Sequence, residues 1–266
     1  YVAQFYEEPD AVLSAGLDAL IISGANPVHA DIREEPYWDA LYDIMQWAND
    51  NVTSTMCSCL ATHAHIAQTH GVERTPLRDK QWGVYSHRVL DANHPLTANI
   101  NTRFDAPHSR WNDVPRTDLE SVGIRVLAES EEAGVQLATS RDGVRWVYFQ
   151  GHPEYDVQSL LKEYKREVNR YIDGVHATFP PRPEHYFTPA AGELLATYQA
   201  EAEAAKAKGT DGPSFPEAAI DATLENTWTD TGKALFNNWL GMVYQLTGAR
   251  RDQPFMPGID PNAPLD

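Results

Sequence analysis

Two cysteines stand only two residues apart, at Cys57 and Cys59, in the run Val52-Thr-Ser-Thr-Met-Cys-Ser-Cys-Leu-Ala-Thr-His. Its first half is β-branched and uncharged, as in a buried strand, and from Leu60 the composition turns helical up to a stop at Gly71. A cysteine at such a strand-to-helix junction gains twice. The sharp turn exposes its sulfur, and the helix N-terminus favours the thiolate. Cys59 occupies the junction, and the crowded positions two before and two after it hold the small residues Cys57 and Ala61. Cys57 fits a nucleophile's place worse, because it lies between Thr55 and Cys59, before the helix has begun.

A thiolate nucleophile needs a base, and the chain has ten histidines. His63 and His65 face different ways on the predicted helix, and neither H-E-x-x-H nor a Cys/His zinc spacing occurs, so no metal is expected. His152 follows an apolar run over residues 145–150, at a strand's carboxyl end, where parallel sheets gather their reactive groups. Glu154, two residues on, can accept a hydrogen bond from one ring nitrogen and leave the other for sulfur. Cys59, His152 and Glu154 thus outline a catalytic triad, although each taken singly is also compatible with a structural role. The small-residue turn Gly24-Ala25 is either a tight turn alone or, with the backbone N–H of Leu60, an oxyanion hole. No G-x-S-x-G elbow, P-loop or G-x-G-x-x-G turn competes with the cysteine.

The elements that must carry these residues alternate. An apolar strand over residues 17–23 precedes a helix with Trp38, Leu41, Tyr42, Met45 and Ala48 on one face; the Cys59 strand and helix follow. Strand, helix, strand, helix predicts an α/β fold with a parallel sheet between helices. Shorter strands are predicted within residues 82–90, 123–128, 135–139 and 145–150, and Asp156 is placed as the N-cap of a helix through Val168. Four prolines in 179–189 exclude a helix there; residues 190–208 and 233–246 read as helices, and the tail from Gln253 as extended. No composition shift divides the 266 residues, so one domain is expected, with 179–266 as a helical and extended C-terminal extension packed on it.

Composition narrows the function classes. With 21 Lys and Arg against 38 Asp and Glu, a net charge of −17 leaves no basic face for a nucleic-acid backbone. Apolar runs are far shorter than the ~20 residues of a membrane span, and no secretory signal opens the chain, so a soluble cytoplasmic protein is expected. Two cysteines so close in sequence do not make a disulfide scaffold, in keeping with a reducing compartment.

Several stretches, in order, carry a family resemblance: Ser23-Gly-Ala, Tyr37-Trp38, Val52-Thr-Ser-Thr before Cys59, Gly83-Val-Tyr, Ala106-Pro-His-Ser-Arg, Gly151-His-Pro-Glu-Tyr-Asp and Asn238-Trp-Leu. Through them the chain resembles the homoserine O-acyltransferase (homoserine transsuccinylase) family. The resemblance implies a flavodoxin-like, class I glutamine amidotransferase-like fold of three layers with a mostly parallel sheet. By the same resemblance, the family's first strand is expected ahead of the region matching Tyr1, outside this sequence. It also implies ping-pong acyl transfer from acyl-CoA, as co-substrate and not a permanent cofactor, to L-homoserine in methionine biosynthesis. Cys59 would carry the acyl group, His152 would be the base and Glu154 would orient it. Lys80, Ser109 and Arg166 match substrate-contacting positions; Arg166 suits a carboxylate clamp, its alternative being an exposed helix charge. A homodimer binding only small molecules is expected. Transfer to L-serine or another amino alcohol, a cysteine amidohydrolase and a non-catalytic binding module are the alternatives.

Val28, in the loop Asn26-Pro-Val-His, matches the position associated with acyl-donor choice, where Glu accompanies acetyl and Gly succinyl donors. A valine there is expected to shrink the acyl pocket and favour acetyl-CoA over succinyl-CoA, unless Arg33, His29 or another cation offsets a second carboxylate.

Overall fold

Apolar, β-branched segments with no room for charge become the centre of the sheet. The computed structural model describes residues 2–25, 27–251 and 253–266, so Asn26 of the donor-choice loop lies outside the described residues. After two short helices, α1 (Val2–Phe5) and α2 (Pro9–Ala15), come β1 (Ala19–Ile22), α3 (Trp38–Asn51), β2 (Ser54–Ser58) and α4 (Leu60–His70). The long strands β3 (Thr75–Val89) and β4 (Arg103–Asp113) form a ribbon, followed by α5 (Arg116–Ser121), β5 (Arg125–Ser130), β6 (Gly134–Thr139) and β7 (Trp146–Phe149). The remainder is helical: α6 (Ser159–Ile172), α7 (Pro189–Lys208), α8 (Glu217–Asp221) and α9 (Thr229–Leu246).

The strands form one sheet in the order β1-β2-β7-β6-β5-β3-β4. The α/β fold is as expected, but the sheet is mixed. Only β1–β2 and β2–β7 pair in parallel, and the other four pairs are antiparallel. The cause is chain length between strands: β5 and β6 are separated by three residues, enough for a hairpin and too few for the crossover a parallel pair needs. The parallel trio β1, β2 and β7 is what matters for chemistry. Its three carboxyl ends lie at one sheet edge and deliver Gly24, Cys59 and His152 to the same place.

Helices cover both faces. Met45, Ala48, Ala61 and Ala64 of α3 and α4 pack with Cys57 and Tyr148 on one side, while Leu235, Trp239 and Val243 of α9 pack with Met56, Val147 and Phe149 on the other. A third cluster joins α6 and α7 to Trp82 of β3 through Leu161, Tyr164, Leu195 and Trp228. Residues past 179 therefore supply much of two cores, and the tail turns back to bury Phe255 instead of running extended. Asp156 forms a turn before α6 rather than its cap, accepting bonds from Gln158 N (2.8 Å) and Ser159 Oγ (3.1 Å). Among the described residues no helix is long and apolar enough to cross a membrane.

The β3–β4 ribbon belongs to the far edge yet reaches the reactive end. His152 N donates to the Pro107 carbonyl of β4 (2.7 Å), and the chain at Glu184 bridges β3 through Glu184 N to Trp82 O (2.8 Å) and Val84 N to Glu184 O (2.9 Å). Gly83 permits this contact, since a Cβ there would stand 2.2 Å from Glu184 O and 2.7 Å from Glu184 N, both backbone atoms. Gly83→Ala is expected to cost about 3 kcal/mol, seen in thermal unfolding as a Tm lower by on the order of 10 °C.

Candidate active site

Cys59 sits between β2 and α4 with φ 52° and ψ −112°, a conformation side chains rarely adopt and one that costs roughly 1–3 kcal/mol. It is held there by its own backbone. Cys59 N donates to Phe149 O of β7 (2.8 Å), and Cys59 O accepts from His63 N (3.3 Å) to start the helix. Gly24 packs against the turn, where a Cβ would lie 3.2 Å from Cys59 Cβ and 3.3 Å from Leu60 N. The turn separates the two cysteines. Cys59 is partly exposed and lines a pocket of about 270 Å³, whereas Cys57 is fully enclosed, and burial pushes its thiol pKa up.

His152 lines the same pocket and is 8% exposed. Its Nδ1 is 2.8 Å from Glu154 Oε1, and its ring stacks on Tyr155 at 4.2 Å and 15°. Glu154 Oε1 also accepts from Ser58 Oγ (3.1 Å), so the residue before Cys59 steadies the carboxylate behind His152. Burial alone would lower the His152 pKa. Hydrogen bonds to Cys59 and Glu154, with the charges of both, overcome it and push the ring up to about 10. The same contact works in reverse on Glu154: burial opposes its charge, but His152 holds the carboxyl below its ordinary range. The expected grouping of Cys59, His152 and Glu154 is thus present as geometry.

His63, also in the pocket wall, has the opposite character. Its Nε2 meets Gln150 Oε1 (2.9 Å), which also accepts from Val114 N (2.9 Å), and burial drives its pKa to about 3. It is a neutral buried donor.

Of the positions expected to contact substrate, Ser109 and Arg166 line the pocket and Lys80 does not. Lys80 instead lies behind it, 4.1 Å above the Trp82 ring, with Nζ 3.3 Å from Glu163 Oε2. Glu163 is the residue that sequence reasoning missed. It lines the pocket and collects Ser109 Oγ (2.6 Å), Lys80 Nζ and Tyr155 OH (2.8 Å), whose combined effect outweighs burial and holds its pKa low. One signal was available: Glu163 precedes Arg166 by three, so the two share a helix face. Gly24, Ala25 and Leu60, expected to form an oxyanion hole, also line the pocket.

Val28 is not among the lining residues. Its side chain is 83% exposed, while Pro27 next to it faces the pocket, so the expected narrowing of the acyl site by Val28 is not found. What fixes this loop is Glu35, buried and accepting from Val28 N (2.6 Å) and His29 N (2.7 Å).

A sequence model of the homoserine O-succinyltransferase family matches residues 1–249. The chain belongs to that family. It is 53% identical over 265 residues to the homoserine O-succinyltransferase of Methylococcus capsulatus and 52% identical over 265 residues to that of Methylobacter tundripaludum, covering 100% of this chain and 75% of each relative. Members of the homoserine O-succinyltransferase family are O-acyltransferases, and in this chain a cysteine and a histidine face one small pocket. Among solved structures, a glutamine amidotransferase from Methylobacillus flagellatus is 15% identical with a TM-score of 0.52, over 90% of this chain and 82% of that one; this likeness concerns the fold alone.

The titration of His152 tests the assembly. Cys59→Ala or Glu154→Gln removes one of the contacts raising its pKa, so ring-proton NMR should show it titrating at lower pH in either variant. In the double variant burial dominates, and the ring should titrate below its ordinary 6.5. A titration unmoved by both changes would show that neither residue holds the ring.

Proposed function

We propose that the protein transfers an acyl group from acyl-CoA to the hydroxyl of L-homoserine through a thioester on Cys59. The observation supporting it most directly is the pairing of an elbow cysteine with a glutamate-held histidine in a pocket that also carries Glu163 and Arg166. Homoserine as acceptor and succinyl as the group transferred follow the names of the relatives.

Cys59 gives its proton to His152 as it attacks, leaving the ring as the imidazolium. Sulfur attacks the thioester carbonyl, and the oxyanion is met at Gly24, Ala25 and Leu60 backbone. As the tetrahedral adduct collapses, the carbon–sulfur bond to CoA breaks and CoA departs with the His152 proton. Having given up that proton, and with Cys59 acylated, the ring is a base when the acceptor arrives. Neutral His152 then takes the homoserine hydroxyl proton, the oxygen attacks the acyl carbon, and Cys59 leaves as thiolate. Glu154 orients the ring throughout. Arg166 clamps the amino-acid carboxylate and Glu163 receives its ammonium, one helical turn apart on α6.

Incubation with succinyl-CoA alone should release about one equivalent of CoA and stall until homoserine is added, with the mass increase on Cys59 and not Cys57. Continuous release without acceptor would mean hydrolysis. Cys59→Ala should abolish transfer, with a loss on the order of 10⁴-fold or more.

Arg166→Lys replaces a planar fork by a point charge. It should raise the KM for homoserine about 10-fold or more while leaving CoA release in the first half-reaction nearly unchanged. Equal damage to both halves would place Arg166 in the fold or at the CoA instead.

A further inference from the structure

The cations around the pocket divide unevenly. Lys80 meets Glu163 at 3.3 Å, Arg110 meets Asp113 at 2.8 Å, and Arg166 meets Glu167 at 3.5 Å. Arg74 lines the pocket as well, and among the described residues it forms no ion pair. Both of its hydrogen bonds among those residues run through Nη2, to the carbonyls of Ala30 (2.9 Å) and His29 (3.3 Å). The three N–H groups on Nε and Nη1 remain for another acceptor. Those two carbonyls belong to the loop that buried Glu35 fixes through Val28 N and His29 N, so the guanidinium is anchored on a set backbone rather than waving in solvent.

The placement is complementary to that of Arg166. Arg166 shares its helix with Glu163, the partner of Ser109, and serves the amino-acid end of the pocket. Arg74 immediately precedes β3 and is tied to the loop beside Pro27, next in the wall to Gly24 and Ala25. A carboxylate brought into a partly dehydrated pocket must find a cation, and an acceptor amino acid brings only one. A dicarboxylic acyl group brings a second.

Resting on the acyl transfer proposed above, we infer that Arg74 receives the terminal carboxylate of a dicarboxylic acyl donor and thereby selects succinyl over acetyl thioesters. The loop carrying Val28 then influences donor choice through its carbonyls, which hold Arg74, and not through the valine side chain.

The test compares CoA release from succinyl-CoA and acetyl-CoA by wild type and Arg74→Gln. The expected result is a fall of about 10- to 100-fold in kcat/KM for succinyl-CoA, the loss of a hydrogen-bonded charge, with acetyl-CoA and the homoserine KM little changed. Equal losses on both donors, or a loss confined to homoserine, would overturn the assignment. Should the variant fail to fold, wild type decides with the terminal amide of succinyl-CoA, a neutral isostere. A cationic subsite predicts a similar preference for the acid, and equal use of acid and amide refutes it. Wild type that acylates Cys59 from neither donor would instead refute the acyl transfer itself, and the Arg74 assignment with it.

Discussion

The backbone of Cys59 is the constraint on which the rest depends. A residue with a side chain held at φ 52° survives only where its surroundings leave no cheaper alternative, and here three strands supply them. β7 accepts the Cys59 N–H at Phe149, β2 accepts at Cys57 O from Thr62 Oγ1 of α4 (3.0 Å), which also lies 2.9 Å from Phe149 O, and the end of β1 brings Gly24 against the turn. The uncharged, hydroxyl-rich composition of β2 has the same origin. Its interior polar atoms each need a partner in a place without water, and Ser54, bonded to the Val144 carbonyl and to Trp239 Nε1, provides a tie between the sheet and α9.

Charge within the pocket is arranged so that reactive and binding groups do not neutralise one another. His152 and Glu154 share one proton economy with Cys59, while Glu163 gathers its own donors from β3, β4 and the segment after β7. Tyr155 touches both, stacking on His152 and donating to Glu163. Glu163 and His152 are thus linked through one ring, packed on the imidazole at 4.2 Å.

Much of this was legible in the sequence where the determinants are local. The elbow at Cys59 is visible because strand, turn and helix composition fall within a dozen residues, and His152 with Glu154 because they are neighbours after a strand. The antiparallel half of the sheet was less so, since β4 carries charges and a proline that obscure its period and its partner β3 is irregular between Pro76 and Gln81. Glu163 escaped because its meaning lies in partners 54 and 83 residues away. Lys80 and Val28 show the converse: residues placed at the site by resemblance alone, one turning out to act from behind another side chain and the other facing outward. The fold class was carried by alternating elements, which report layers well and strand direction poorly.

The separation of the two cysteines has a consequence for oxidation. Enzymes with a reactive thiolate often keep a second thiol nearby, so that a sulfenic acid condenses to a disulfide before it is oxidised further. Here the other cysteine of the chain is Cys57, sealed in the core beneath the turn and on the far side of the strained residue. Peroxide reaching Cys59 would leave a sulfenic acid that Cys57 cannot resolve. Without another thiol able to enter the pocket, further peroxide carries the sulfur to the irreversible sulfinic acid.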